Sequence, residues 1–349
     1  MTRRSTLLGT TLLALVAAAP LTAGSAQAVE NEPAATEPWD AATGAPEKTS
    51  LSPIQVEEFW TAERMESATP MPVPEATPGG DDAGEVPPST QAESGEGFVP
   101  EAPVSGSIPG TLALDYFSTS RVWSTHGKMP AATIGKLFFT KNGSSRSCSA
   151  ATINASNRNT IWTAAHCVSN GNGGWSSNFA FVPDYHDGKR PYGTWTAKSW
   201  AVPKGYHEGK NSRYDLGAIA LNLSSGRRAG NVVGYQGYKF GEGHNETSFQ
   251  DTRAFGYPSD THPPRSGIDS KQLRFCVGYA APDALFRRMA CDMGKGASGG
   301  PWITDMPLSR GWGYIIGHNA WIYGASELWT YGPTLGTAAI NVRAAVHTD

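Results

Sequence analysis

The stretch Gly296-Ala297-Ser298-Gly299-Gly300-Pro301 is the part of this 349-residue chain from which fold and chemistry are best inferred. Glycines on both sides of Ser298 allow a tight loop that exposes the hydroxyl and leaves backbone N–H groups free beside it. An acyl-transfer nucleophile needs this arrangement, because a developing oxyanion must be held by nearby donors. Glycine-rich loops that contain serine are also ordinary turns. The stretch therefore predicts a nucleophile only if the chain supplies a base and an acid.

Two further motifs supply a base and an acid. His166 stands in Thr163-Ala164-Ala165-His166-Cys167, after a β-prone apolar run, where small alanines permit close backbone approach. A lone histidine at a strand end is usually a core residue, but this context is specific. Asp215 opens the apolar run 216–221, where a buried carboxylate can face an imidazole N–H and fix its tautomer. The alternative for Asp215 is a turn or strand-cap aspartate.

The order of the three motifs points to one class of peptidase. His166, Asp215 and Ser298 follow one another with gaps of 49 and 83 positions. This order is typical of chymotrypsin-like peptidases and differs from that of subtilisins and α/β-hydrolases. With Gly256-Tyr257-Pro258, the motifs make residues 110–349 similar to a secreted bacterial trypsin-like serine peptidase, nearest the glutamyl endopeptidase (V8-like) branch.

The resemblance implies an all-β fold, a chymotrypsin-like double six-stranded β-barrel with a short C-terminal helix. The residues agree, because short β-prone runs are separated by links rich in Gly, Asn and Ser. The predicted strands are Ala131–Thr140, Ser147–Ile153, Thr160–Ala164, Leu216–Leu221, Thr252–Gly256, Pro301–Thr304 and Tyr314–Ala320. The closing helix is predicted at Ala338–His347.

The resemblance also implies a serine endopeptidase with His166, Asp215 and Ser298 as the catalytic residues. The backbone N–H groups of Gly296 and Ser298 would form the oxyanion hole. This chemistry requires no metal and no organic cofactor, and the expected partners are protein or peptide substrates. The alternative function is a catalytically silent homologue that acts as an extracellular binding module. Reaction of Ser298 with a fluorophosphonate separates the two functions.

Ala297 marks a departure from animal trypsins. Trypsins carry an aspartate at this position, and it pairs with a newly freed N-terminus to complete the oxyanion hole. Activation of this chain therefore cannot use that ion pair. Any latency must come from another element, such as an N-terminal pro-segment.

The candidate specificity pocket consists of Asp292, His318 and Asn319. Asp292 lies six residues before Ser298, at the offset of the aspartate that selects Arg and Lys in trypsins. V8-like members carry Asp near this offset without that preference. They place a histidine for the substrate carboxylate on the strand that runs over 314–321, where the aligned residue is either His318 or Asn319.

The four cysteines suit an exported protein. By resemblance, Cys148–Cys167 would be the disulfide beside the catalytic histidine, and Cys276–Cys291 would close a loop before the nucleophile. Four cysteines allow three pairings. A zinc site is the competing interpretation, but no Cys-x-x-Cys spacing supports it.

Composition divides the chain into three parts. Residues 1–28 are typical of a secretory signal peptide, with a charged start, an apolar stretch and a small-residue cleavage site. Residues 29–108 form an acidic, Pro-rich pro-segment or linker that we expect to be mostly disordered. Residues 109–349 form the peptidase domain. We expect a secreted monomer that does not bind membranes.

The net charge of −3 hides a strong asymmetry. Residues 29–103 contain sixteen acidic and two basic residues, whereas 104–349 contain fifteen acidic and twenty-four basic residues. The basic residues are spread along the domain, so no nucleic-acid site is predicted. The acidic segment either folds back as a pro-peptide or serves as a solvating spacer. An apolar patch at Ile54, Val56, Phe59 and Trp60 would anchor a pro-peptide.

Overall fold

Seventeen β-strands and six short α-helices make up the computed structural model, which describes residues 37–47, 50–74, 91–101, 116–244, 247–283, 286–322, 324 and 328–348. The strands are β1 (Ala41–Gly44), β2 (Thr69–Pro70), β3 (Ala92–Gly95), β4 (Phe117–Val122), β5 (Ile134–Lys141), β6 (Ser144–Ile153), β7 (Thr160–Thr163), β8 (Ser177–Pro183), β9 (Trp195–Pro203), β10 (Gly217–Leu221), β11 (Gly237–Gly241), β12 (Phe249–Gly256), β13 (Arg274–Asp283), β14 (Phe286–Ala290), β15 (Pro301–Thr304), β16 (Tyr314–His318) and β17 (Trp329–Pro333). The helices are α1 (Pro53–Phe59), α2 (Ala62–Ser67), α3 (Ala165–Val168), α4 (Lys204–His207), α5 (Ala229–Val233) and α6 (Thr337–Val346). The predicted all-β class and the C-terminal helix are confirmed.

Helices contribute little to the fold. The longest of those described, α6, has ten residues, and α3, α4 and α5 have four or five. None in the described part of the chain has the length and apolar character needed to span a bilayer. The predicted signal peptide and the boundary between 108 and 109 lie outside the described residues.

Strands β5 to β10 form a closed six-stranded barrel. Neighbours in the order β5-β6-β7-β10-β9-β8 pair antiparallel, and β8 also pairs with β5. Leu137 and Phe138 of β5 are both fully buried, although successive strand residues point to opposite faces. The strand is therefore covered on its inner and its outer face, which explains its continuous apolar sequence.

The second half of the protein is a larger sheet than the six-stranded barrel that was predicted. Its nine strands follow the order β17-β14-β13-β12-β15-β16-β11-β3, with β4 paired to β13. No ladder among the described residues closes this sheet. The strands β3 and β4 come from the region before the first barrel. They add to the sheet because a free strand edge offers unpaired N–H and C=O groups.

Much of the acidic segment is folded, so the prediction of disorder is wrong for residues 37–47, 50–74 and 91–101. β1 pairs with β9, β2 with β6 and β3 with β11. Helix α1 begins with a capping box formed by Ser52 and Gln55. These short elements are stabilised by pairing with strands of the two larger sheets. Amino-acid composition does not predict such pairing, so it predicted disorder.

A few large side chains anchor this segment to the first barrel. Trp60 is fully buried, and its Nε1 donates to the carbonyl oxygen of Asn178 at 2.6 Å. Met65 and Val56 are also buried. Ile54, predicted as part of the same patch, is instead 70% exposed. Three of the four residues of the predicted apolar patch therefore contact the core, namely Val56, Phe59 and Trp60, and Ile54 does not.

Candidate active site

The loop that carries Ser298 is held by Ser149 of β6. The Ser149 hydroxyl donates to the Gly296 carbonyl and accepts from the Tyr257 N–H, both at 2.9 Å. The Ser149 N–H donates to the Ser298 carbonyl at 2.8 Å. Gly296 has φ +87°, and a Cβ there would lie 2.7 Å from the Tyr257 carbonyl oxygen, so the position requires glycine. No motif indicated Ser149, which joins the two halves of the protein at the loop.

The pairing of β7 with β10 brings His166 and Asp215 together. Thr163 at the end of β7 lies opposite Gly217 at the start of β10. The Nδ1 of His166 is 2.7 Å from the Asp215 Oδ2, and the His166 backbone N–H donates to Oδ1 at 2.8 Å. With Asp215 ionised, this geometry assigns the proton to Nδ1 and leaves Nε2 as the basic nitrogen.

The electrostatics of the pair favour an ionised aspartate. Burial raises the pKa of Asp215, but the attraction of His166 and the two hydrogen bonds from it outweigh burial and lower the pKa below its usual range. Lys141 adds a positive charge nearby, because its Nζ donates to the carbonyl oxygens of His166 at 2.5 Å and Ser169 at 2.8 Å. Burial lowers the pKa of Lys141 to about 8.

The loop that carries Ser298 lies against the stretch of chain that leads to His166. A Cβ on Gly299 would be 2.1 Å from the Thr163 Oγ1 and 2.8 Å from the Ala164 nitrogen, so the loop contacts the chain just before His166. The Ser298 Oγ and the His166 Nε2 are buried, and neither has a hydrogen-bond partner among the described residues. Such hydrogen bonds are often long in proteins without substrate. The structure therefore contains the His–Asp bond but not the Ser–His bond.

The predicted oxyanion donor Gly296 already has an acceptor. Its N–H donates to the carbonyl oxygen of Met71 at 2.9 Å. Met71 belongs to the N-terminal segment, and no motif indicated it as a site residue. Its flanking prolines supported the expectation of disorder instead.

Asp292, the first specificity candidate, has internal partners for both oxygens. Its Oδ2 lies 2.5 Å from an Arg265 guanidinium nitrogen, and its Oδ1 accepts from the Ser120 N–H at 2.8 Å. Asp292 is 2% exposed. Because the charge is paired within the protein, Asp292 is not the free carboxylate that would select Arg or Lys.

The other two specificity candidates are also engaged in the core. The His318 Nε2 donates to the Asp215 carbonyl at 2.8 Å, and its Nδ1 accepts from the Trp162 Nε1 at 3.2 Å. Burial lowers the pKa of His318 to about 4, which keeps the ring neutral at physiological pH. The Asn319 side chain donates to the Phe255 and Ala297 carbonyls and accepts from the Trp302 Nε1. Neither residue offers a free group for a substrate carboxylate.

The two predicted disulfides are confirmed. Cys148 bonds to Cys167, with the Cα atoms 6.4 Å apart, and Cys276 bonds to Cys291, with the Cα atoms 5.7 Å apart. The first bridge ties β6 to the residue after His166. The second joins neighbouring parts of the second sheet, ahead of the loop that carries Ser298.

Three groups of side chains in the described residues have atoms close enough to share a metal ion. Two of them rely on the disulfide-bonded cysteines, whose sulfurs are not thiolates and so are poor ligands. The third joins His126, Asp184 and His186. The His126 Nδ1 is 2.7 Å from the Asp184 Oδ1, and the two imidazole rings stack at 3.8 Å. Stacked rings direct their nitrogens poorly toward one ion.

Solved structures with similar folds include bacterial proteases. The protease Anisep from Arthrobacter nicotinovorans is 32% identical with a TM-score of 0.58, and the match covers 66% of this chain and 100% of that one. A thermostable serine protease, AL20, from an extremophilic microorganism is 28% identical with a TM-score of 0.56, over 63% of this chain and 99% of that one. A Glu endopeptidase is 22% identical with a TM-score of 0.53, over 66% and 97%. At that identity the Glu endopeptidase supports the fold alone.

A curated relative matches a shorter stretch. An extracellular metalloprotease of Bacillus subtilis (strain 168) is 38% identical over 118 residues, which is 32% of this chain. The chain spans about a third of that relative's length, at 36%. No protein-family model matches the chain.

Proposed function

Because the chain belongs to the chymotrypsin-like bacterial serine proteases, we propose that it is a secreted endopeptidase that hydrolyses peptide bonds through Ser298, His166 and Asp215. The observation that carries the proposal is the buried His166–Asp215 pair beside a glycine-flanked serine. Peptides are the substrate class of the family. The two disulfides agree with an extracellular location.

The proposed reaction uses each group for one task. His166 Nε2 takes the proton from the Ser298 hydroxyl as the oxygen attacks a peptide carbonyl. Asp215 keeps the imidazole in position and stabilises its charged form. The N–H groups of Gly296 and Ser298 hold the oxyanion. His166 then protonates the leaving amine, and water reverses the steps to release the acyl group.

We propose that Asp292 does not select basic side chains in the primary pocket, and that His318 and Asn319 do not select acidic ones. The Asp292 charge is paired with Arg265, which removes the attraction for Arg and Lys. His318 and Asn319 are committed to core hydrogen bonds. A peptide-library digest, with the cleavage sites identified by mass spectrometry, tests this expectation. Cleavage confined to positions after Glu, or after Arg and Lys, would contradict it.

The test of the catalytic assignment is the Ser298→Ala variant. In a form of the chain whose active site is accessible, we expect hydrolysis of casein to fall by about 10⁶-fold and labelling by a fluorophosphonate to disappear, while thermal unfolding changes little. Ser176→Ala is a matched control, because Ser176 is also buried with an unpartnered hydroxyl but lies just before β8, away from the loop of Ser298. Near-full hydrolysis by Ser298→Ala would refute the assignment. Absence of labelling in every active-site-accessible form of the chain would favour the silent binding module.

A further inference from the structure

We propose that residues 69–74, here called the strap, bind across the active site of their own chain and hold the peptidase latent. The strap is Thr69-Pro70-Met71-Pro72-Val73-Pro74. The carbonyl oxygen of Met71 accepts the hydrogen bond of the Gly296 N–H, the group proposed to hold the oxyanion. This inference rests on the proposed function. It names the regulation of the same site.

The strap makes backbone hydrogen bonds to both halves of the protein. Its first two residues pair in parallel with β6. The Met71 N–H donates to the Ser147 carbonyl and the Met71 carbonyl accepts from the Gly296 N–H, both at 2.9 Å. Beyond them, the Pro74 carbonyl accepts from the Ile322 N–H at 3.2 Å. The strap therefore runs from the first barrel, past the loop of the candidate nucleophile, to the second sheet.

The reactive groups are almost inaccessible to solvent in this structure. Ser298 is 1% exposed and His166 is 3% exposed, although an endopeptidase must present both to a substrate. The Gly296 N–H cannot hold a substrate oxyanion while it donates to Met71. A substrate can therefore react only after the strap leaves.

The strap is stiff, which suits a segment that must bind without being reorganised. Pro70, Pro72 and Pro74 each fix φ near the extended polyproline value. A chain that is already extended loses little conformational entropy when it binds. Met71, between two prolines, keeps the N–H that bonds to Ser147 and the carbonyl that bonds to Gly296.

The segments that flank the strap in the chain attach it to the domain. On the N-terminal side, the buried Trp60 packs on Phe138 with ring centroids 5.5 Å apart, and Met65 is 1% exposed. Three ion pairs join acidic residues of the segment to basic residues of the domain: Asp40 with Lys204 at 3.9 Å, Glu66 with Lys271 at 2.7 Å, and Glu93 with Arg343 at 2.6 Å. The charge asymmetry of the sequence is thus expressed as contacts between its two parts.

The first test compares two substitutions in helix α1 and just after it in the full chain. Trp60→Ala removes a fully buried anchor, and Ile54→Ala is the matched control because Ile54 is exposed. We expect Trp60→Ala to accelerate fluorophosphonate labelling of Ser298 at least about tenfold, since truncation of a buried tryptophan shifts a docking equilibrium by more than one factor of ten. Ile54→Ala should leave the rate unchanged. Equal labelling rates in wild type and Trp60→Ala, with both chains folded, would overturn the strap.

The second test separates the strap from the proposed chemistry. In full-length Ser298→Ala protein, hydrogen exchange at the Gly296 and Ile322 amides should be slow, and Met71→Pro should accelerate it by removing the hydrogen bond to Ser147. Fast exchange at both amides without Met71→Pro overturns the strap and leaves the peptidase assignment intact. Suppose that Met71→Pro accelerates exchange, but that Ser298 is not labelled in any variant that retains this serine. This result supports the docked strap and overturns the proposed function.

Discussion

Replacement of Asp215 by Asn is the sharpest test of the proposed chemistry. The amide oxygen of Asn can still accept from the His166 N–H, which is now 2.8 Å from Oδ1. The NH₂ group, however, would face Nδ1 at a distance near the present 2.7 Å and donate to it. Nδ1 must then accept, so the ring proton moves to Nε2, and the imidazole can no longer take a proton from Ser298.

The expected loss is about 10⁴-fold in kcat, or about 5 kcal/mol of transition-state stabilisation. The side chain keeps its size, so the fold should remain intact by circular dichroism. The assay measures casein hydrolysis and fluorophosphonate labelling in the full chain and in the Trp60→Ala background, in which the strap is weakened.

Asp184→Asn supplies a matched control for that experiment. Asp184 is fully buried, bonds to His126 Nδ1 at 2.7 Å and accepts from the Gly127 N–H at 2.7 Å, yet lies outside the candidate site. The Asp184→Asn substitution should lower the free energy of unfolding and leave kcat within about tenfold of wild type. The assignment would be refuted if Asp215→Asn kept kcat within tenfold of wild type, or if both substitutions lowered kcat equally.

Two further predictions concern stability. The pKa of His318 is lowered to about 4 in the folded protein, below an unfolded value near 6.5. Between these two values the unfolded chain binds one more proton than the folded chain. The free energy of unfolding therefore falls as the pH drops from about 6.5 to about 4, by about 3 kcal/mol in total. Urea unfolding at pH 7 and pH 4.5 should show this loss in wild type and a smaller one in His318→Gln; equal losses in the two chains would contradict the argument. Replacing Cys148 and Cys167 by Ala should cost about 3 kcal/mol, because their separation of 19 residues closes a loop of that size. A urea midpoint unchanged by the double substitution would show that the bridge contributes nothing.

The parts of the fold that the sequence predicted are those specified locally. All seven predicted strands lie within or overlap observed ones, from β5 to β16, because each is a short apolar or β-branched run bounded by turn residues. The hairpin of β13 and β14 was not predicted, since arginines such as Arg287 and Arg288 interrupt its apolar pattern. Arg287 is nevertheless buried, and its guanidinium donates to backbone carbonyls. The carbonyl groups that accept from the buried guanidinium come from other parts of the chain. The sequence around Arg287 therefore does not indicate that this residue is buried.

The same distinction applies to the site. The His166, Asp215 and Ser298 motifs are each contiguous in sequence, so local reasoning found them. The partners that decide the specificity candidates are distant: Trp162 and His318 are 156 positions apart, and Ser120 and Asp292 are 172 apart. The motif around Asp292 therefore indicated a specificity candidate but not its partners Ser120 and Arg265. The folded N-terminal segment was missed for the same reason, because β1, β2 and β3 exist only as additions to other sheets.

The contacts of Ala297 bear on how the proposed latency would be relieved. Trypsin-type activation builds the oxyanion hole by an ion pair at this position, and Ala297 cannot form one. Here the loop is braced by Asn319, whose Nδ2 donates to the Ala297 carbonyl at 3.1 Å and whose backbone carbonyl accepts from the Gly299 N–H at 2.8 Å. Gly296 already has its positive φ and directs its N–H to Met71. A loop that is formed while covered needs only removal of the strap, so activation on our proposal requires no rebuilding of the oxyanion hole.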